Sequence, residues 1–251
     1  MSKSIFMKFL LFFLAFILVI SALASLQWKI THDTPLMHYA AWLIDQKGYA
    51  PYRDIFDFNM PGTYLFHIMI GKLCGYSDLG FRIFDLIWLI ALFIVTYAFM
   101  RPFGARLAWI APVLIGLTYL QKQSKMSLQR DWILILPIAI SMWLTTSEKF
   151  RLSIRSWLIG LLFGMAATIK PHVLIALLPI LIYETMKKSD DSPFQLKVVA
   201  KKLLFCAFFY IVGAIIPIGL ALLWVWSKGG LNSFIEISTK YTPLYAMLDK
   251  D

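Results

Sequence analysis

The sequence predicts an all-α, polytopic transmembrane protein with about seven spans and two interfacial helices in its first outer loop. Three observations carry this. Of the 251 residues, 60% are hydrophobic and only 15% charged, whereas soluble domains are about 45–50% apolar and about 25% charged. One core cannot hide that much apolar surface, so lipid is the first solvent to consider. Second, several apolar runs reach the roughly 20 residues, about 17 at the least, that a spanning helix needs. Third, Lys and Arg are unevenly shared between alternate loops. The same composition excludes disorder, collagen and coiled coil. Two cysteines, Cys74 and Cys206, exclude a secreted disulfide scaffold. The net charge of +10 resembles a nucleic-acid signal, but in a membrane protein the basic residues gather on the cytoplasmic side. No nucleic-acid partner is therefore expected.

The clearest spans are 9–26, 81–100 and 203–226. The runs 107–120 and 132–147 are shorter but lie between charged ends that can snorkel. The apolar block 156–186 is broken by Lys170-Pro171 and reads as a hairpin of two short spans. With the N-terminus in the cytoplasm, the inner segments are 1–8, 101–106, 148–155 and 187–202. Lys and Arg are more than twice as dense there as in the outer segments, which favours this orientation. Trp28, Trp132, Trp224 and Trp226 then form an outer aromatic belt. Lys3, Lys8 and Ala22-Leu23-Ala24 also suit a cleaved signal peptide, although the apolar run is long for one and an uncleaved anchor is the expectation. Cys74 falls outside and Cys206 near the inner face, so the two cannot pair. The segment 187–202, with five lysines, reads as a cytoplasmic connector that touches anionic lipid. The division expected is a transmembrane domain over 1–226, with its outer loop at 27–80, and an outer C-terminal tail over 227–251. Lys228-Gly229-Gly230 reads as a turn after the last span. The expected site of residence is a cell inner (plasma) membrane.

The loop 27–80 is too polar to span and too aromatic to be a tether. Thr34-Pro35 reads as a helix start, with Thr34 as cap. Leu36, Ala40, Leu43, Ile44 and Lys47 follow at helical spacing, on a face that can lie on the membrane surface. Gly48 ends the helix. The stretch from Pro51 to Gly62 is bounded by prolines and closed by a Pro-Gly turn. Residues 63–73 are apolar but too short to cross, and read as the second interfacial helix.

This loop sets Asp33, Arg53, Asp54 and Asp57 at the outer surface. Gln129-Arg130-Asp131 sits at the mouth of the fourth span, and Lys170-Pro171-His172 at the hairpin apex. The hairpin arms are about 15 residues, roughly 22 Å of helix, so Lys170 sits recessed, where an ionisable group is a functional candidate. Carboxylates here can serve as a general base for an incoming hydroxyl or amine. Arg53, Arg130 and Lys170 can hold a leaving phosphate. An oxocarbenium-like state is stabilised by a nearby carboxylate. Each residue also has a plainer role open to it. Asp33 suits a helix-start acid, Asp54 and Asp57 turn-forming acids, Arg53 a solvated cation, and Arg130 and Lys170 snorkelling anchors. His32, His38, His67 and His172 lack metal-ligand spacing. Asp85, inside the second span, is expected to pair with a polar neighbour. There is no P-loop, GxGxxG or HExxH, and no cofactor is expected.

The run His32-Asp33-Thr34-Pro35, Tyr39-Ala40-Ala41, Gly48, Pro51-Tyr52-Arg53-Asp54-Ile55-Phe56-Asp57 and Pro61-Gly62, placed after one span, resembles the first outer loop of GT-C fold glycosyltransferases. It is most similar to the protein O-mannosyltransferase and lipid A aminoarabinose transferase type. The resemblance covers about residues 5–185. It implies an enzyme moving a sugar from a polyprenyl-phosphate donor to a lipid, glycan or protein acceptor on the outer face, in contact with membrane lipids. It implies Asp33 as catalytic base, Gln129, Arg130 and Asp131 as a second polar site, and Lys170 as a basic residue facing the carrier phosphate; with Arg53, Asp54, Asp57 and His172 these are the expected substrate-binding residues. Thr34 stands where the family often has a second acid, and Asn59-Met60 precedes Pro61 where it often has Lys. Family members usually carry more spans, so the resemblance implies a short variant, a truncated product, or one part of a split enzyme with a partner subunit. Two other classes remain open: an inactive fragment or accessory subunit, and a non-enzymatic transporter or flippase-like protein. The last needs polar residues lining a path through mid-membrane. Asp85 is the acid well inside a span and most charge lies at one face, which favours surface chemistry.

Overall fold

The computed structural model describes residues 3–147, 149–187 and 196–248. Among them every regular element is helical, and the one extended pairing is an isolated bridge between Pro51 and Ile55. The α-helices are α1 (Lys3–Ser25), α2 (Thr34–Gln46), α3 (Pro61–Cys74), α4 (Asp78–Met100), α5 (Ala105–Gln121), α6 (Arg130–Thr146), α7 (Leu152–Ala167), α8 (Leu177–Met186), α9 (Leu196–Ser227), α10 (Leu231–Glu236) and α11 (Thr242–Leu248). A 3-10 turn, Pro171–Ala176, leads into α8, and a π-turn, Ile237–Tyr241, joins α10 to α11. Three stretches are long and apolar enough to cross a membrane: Ile5–Ser25, Asp78–Phe103 and Leu196–Ser227. Shorter apolar helices cover Ala105–Gln121, Leu152–Ala167 and Pro171–Met186.

The contacts divide the chain into two compact units: Met1–Pro35 with Ile70–Arg151, and Leu36–Met69 with Leu152–Asp251. In the first, α4 packs on α5 and α6, and α1 on α5. Ser77 starts α4 by accepting a hydrogen bond from the Gly80 amide at 3.1 Å, which satisfies an amide that the helix leaves open. In the second unit α7 lies along α9, with α8 against α9. Small residues make that approach close. A Cβ on Gly160 would stand 2.3 Å from the Tyr210 carbonyl oxygen, and one on Gly213 2.3 Å from that of Trp157. Gly160 and Gly164 form the small-xxx-small spacing that lets membrane helices touch through their backbones.

The second unit also buries a core at one end of α9, where Ala40, Ile44, Tyr52, Tyr64, Val225 and Ile237 meet. The helices in the first loop therefore differ in detail from expectation. Thr34 opens α2 as expected, and Gly48 follows its end with φ +74°. The expected surface face is split, however: Ala40 and Ile44 are buried with Met37 and Ala41, while Leu36 is exposed. On α3, Thr63, Tyr64, Phe66 and His67 are all buried, so this helix is a packed element on more than one face. The turn after α9 is present, with Gly229 at φ +73°. From Leu231 to Leu248 the tail is helical, and Leu231, Phe234 and Ile237 supply apolar groups to the core. In the lysine-rich segment, α9 begins at Leu196, ahead of the expected 203, and Lys202 Nζ caps the Lys187 carbonyl at 3.0 Å. Residues 188–195 of that connector lie outside the described residues.

Candidate functional site

In the first unit the segment after α1 and the segment before α6 are laid side by side. The Thr31 and Ser124 hydroxyls are 2.9 Å apart. The Thr34 hydroxyl donates to the Ser127 carbonyl at 3.5 Å and accepts from Gln129 Nε2 at 3.2 Å. Thr34 thus ties two loops together where the sequence suggested a helix cap. Gln129 Nε2 also lies 3.4 Å from His32 Nδ1, and that nitrogen lies 3.3 Å from Asp33 Oδ2. One ring nitrogen faces both groups, so the tautomer decides its role: with a proton it donates to the carboxylate, without one it accepts from the amide. Asp33 stays about half exposed, with a side-chain accessibility of 53%. Gln129 is buried, Arg130 opens α6, and Asp131 lies in its first turn. The structure therefore brings His32, the residue before Asp33, to Gln129, the residue before Arg130 and Asp131, 97 positions away in sequence.

What holds the two loops is a buried polar knot on α4. The Arg82 guanidinium lies 2.8 Å from Asp85 Oδ2, and neither side chain is exposed (0%). Arg82 Nε donates to the Ser25 carbonyl at 3.1 Å, its Nη1 donates to the Ser127 hydroxyl, and Trp28 stacks 4.9 Å from it. The Tyr119 hydroxyl donates to Asp85 and accepts from the Leu128 amide at 3.0 Å. One ion pair therefore fixes the end of α1, the end of α5 and the loop that presents Gln129. Asp85 pairs as expected. Arg82, Tyr119 and Ser127 were not singled out in the sequence, although Arg82 stands three residues before Asp85, the spacing of one helix face.

The second unit holds the other predicted residues in two neighbouring places. Asp54 accepts from the Ala50 amide at 2.8 Å and from Arg53 at 2.9 and 3.1 Å. The Arg53 hydrogen bonds, then the Ala50 amide, hold the Asp54 carboxyl below its usual range, and Asp54 in turn raises Arg53. Asp57 accepts from the Asn59 amide at 3.2 Å and from its side chain, a turn-forming arrangement. Tyr64 donates to Asp57 at 2.6 Å, and Tyr52 donates to the Asn59 carbonyl at 2.7 Å. Burial first, and then the Asp57 charge, pushes the Tyr52 hydroxyl up. Both acids thus have the turn-forming role that the sequence left open. The Gly62 amide donates to the Thr168 carbonyl at 2.8 Å, and a Cβ on Gly62 would stand 2.0 Å from Thr168 Oγ1. This ties the residue two before the partly buried Lys170, and four before the exposed His172, to the Pro61 end of α3. His38 and His67 are buried with their Nδ1 atoms 3.3 Å apart, a pairing that no sequence spacing announces. The described residues contain no group of three or more His, Cys, Asp or Glu able to hold a metal.

The backbone marks these same places. Among the described residues, four non-glycine residues have positive φ: His32 (65°), Tyr52 (67°), Gln123 (56°) and Leu128 (45°). Three of them immediately precede Asp33, Arg53 and Gln129. Such conformations cost on the order of 1–3 kcal/mol each and persist where the surroundings over-determine them; Tyr52 and Leu128 are buried. No known family model matches the chain, and neither a curated protein nor a solved structure matches it either.

Proposed function

We propose that the protein is a membrane glycosyltransferase that moves a sugar from a polyprenyl-phosphate carrier to an acceptor on the outer face of a bacterial inner membrane. The observation that carries this reading is the cluster in the first unit, where an exposed carboxylate, Asp33, pairs with His32, and the same ring reaches Gln129, the residue before the cation that opens α6. A carboxylate and a guanidinium held at one surface suit transfer from a phosphate donor. Asp33 takes the proton of the acceptor hydroxyl or amine as that atom attacks the anomeric carbon. The bond from that carbon to the phosphate oxygen breaks, and the carrier phosphate leaves with the electron pair. Arg130 neutralises the charge that develops on it. His32 and Gln129 orient the base.

The topology in this reading has seven spans with the N-terminus in the cytoplasm. It is supported by seven helical stretches that fall on the expected runs: α1, α4, α5, α6, α7, Pro171–Met186 and α9. The test is a transfer assay with membranes and a panel of polyprenyl-phosphate sugars. Asp33→Asn is expected to lower transfer by about 100-fold or more, with insertion and accumulation unchanged. Full activity in that variant removes Asp33 as the base. Absence of transfer from every donor by the wild-type protein removes the enzyme assignment.

A further inference from the structure

We infer that the C-terminal helical segment 231–248 is an in-plane membrane anchor, whose outward face and the Phe56–Phe58 loop it holds are covered by the interfacial layer of the bilayer. The first reason is where the chain puts it. The apolar helix α9 ends at Ser227, and α10 begins at Leu231. Three residues of turn reach at most about 11 Å, so the segment starts at the end of a span. Gly230 is pressed against the Pro51 carbonyl, where a Cβ would stand 2.0 Å away. That contact pins the segment to the loop after α2 as well.

The second reason is that the segment carries large apolar side chains outward as well as inward, the outward ones set among polar residues. Leu231, Phe234 and Ile237 pack inward on the core with Tyr52 and Tyr64. Outward, Ile235, Tyr241, Leu244, Tyr245 and Met247 are exposed, Leu244 at 55% and Met247 at 65%. Two rings of this face meet the loop, Tyr241 with Phe56 at 5.5 Å and Tyr245 with Phe58 at 5.2 Å, while Phe56 and Phe58 meet at 5.3 Å. All four rings remain exposed. A contiguous apolar surface of this kind requires a cover. Aromatic rings with a polar tip favour the headgroup boundary, and the segment's start at a span end supplies lipid as that cover. Glu236 and Lys240 pair at 3.1 Å on the exposed surface, which leaves little net charge for a charged partner to read. The inference is independent of the transferase reading.

The test uses the full chain in phospholipid nanodiscs, with Cys74→Ser and Cys206→Ala as background. Spin labels are placed at Leu244→Cys and Met247→Cys, with Ile215→Cys on α9 as a lipid control and Lys125→Cys as a water control. The ratio of collisions with oxygen to collisions with a water-soluble nickel chelate is expected to be about threefold or more above the Lys125 site, and below the Ile215 site, as for a helix lying in the interface. Collisions dominated by the nickel reagent overturn the inference by placing the face in water. Protection from both reagents overturns it by showing a protein cover, such as a second copy. If one labelled variant fails to accumulate, the other carries the measurement.

Discussion

Arg82 and Asp85 are charged residues inside an apolar helix, and each is tolerated because the other is 2.8 Å away with hydroxyl and carbonyl partners around them. Removing one member of such a pair costs about 3–5 kcal/mol, whereas replacing both by apolar groups is often neutral. Arg82→Met is therefore expected to lower the unfolding midpoint in detergent strongly, and Arg82→Met with Asp85→Leu to recover most of the loss. Thermal unfolding of the two variants checks this. His67 offers a pH test. Burial first, and then the nearby His38, hold its pKa at about 3, below the ordinary 6.5. Above 6.5 the folded and unfolded states are both neutral there. Below it the unfolded state takes up a proton that the folded state refuses, so stability falls as pH drops from 6.5 toward 3, by up to about 1.4 kcal/mol per pH unit. His67→Gln is expected to flatten that slope, read as unfolding midpoint against pH. At this scale the sequence marked Asp33 and Gln129 as chemistry-bearing residues. It was silent on His38 with His67, since nothing local requires two residues 29 positions apart to face each other.

The elements themselves were largely legible, because apolar run length and turn residues act locally. The start of α2 at Thr34 and the Gly48 stop follow from the chain's own chemistry, as does the interruption at Lys170-Pro171, where a proline lacks the amide to continue a helix. Packing between elements was less so. Gly160 and Gly164 read as ordinary members of an apolar block, yet they set how closely α7 meets α9. Gly160→Leu must push the backbones apart, since its Cβ meets a carbonyl oxygen and not a movable side chain. Overpacking of this sort costs about 1–3 kcal/mol. The expected result is a lower unfolding midpoint in detergent, while Gly219→Ala, with nothing within 4 Å of its Cβ, leaves the midpoint unchanged within error. The outer tail expected over 227–251 carries no sign in its sequence of the helices found over 231–248. Its helices gain their cover from Tyr52 and the core around it.

For the molecule as a whole, the proposed topology, seven spans with a cytoplasmic N-terminus, predicts a C-terminus outside. A reporter enzyme active only outside the cytoplasm is expected to work when fused after residue 251 and to fail when fused after Arg106. The reverse pattern inverts the topology. Composition by itself determined that this chain is built from apolar helices, because hydropathy sums over residues without regard to their neighbours in space. Three stretches long enough to cross a membrane bear that out. Only the tertiary structure decided that the Asp33 loop rests on the Gln129 corner, that an Arg82–Asp85 pair holds both, and that the chain folds as two contact units drawing on distant segments. The reason is physical: a hydrogen bond between residues 97 positions apart depends on which helices lie side by side, and lateral packing leaves no local periodicity for the sequence to display.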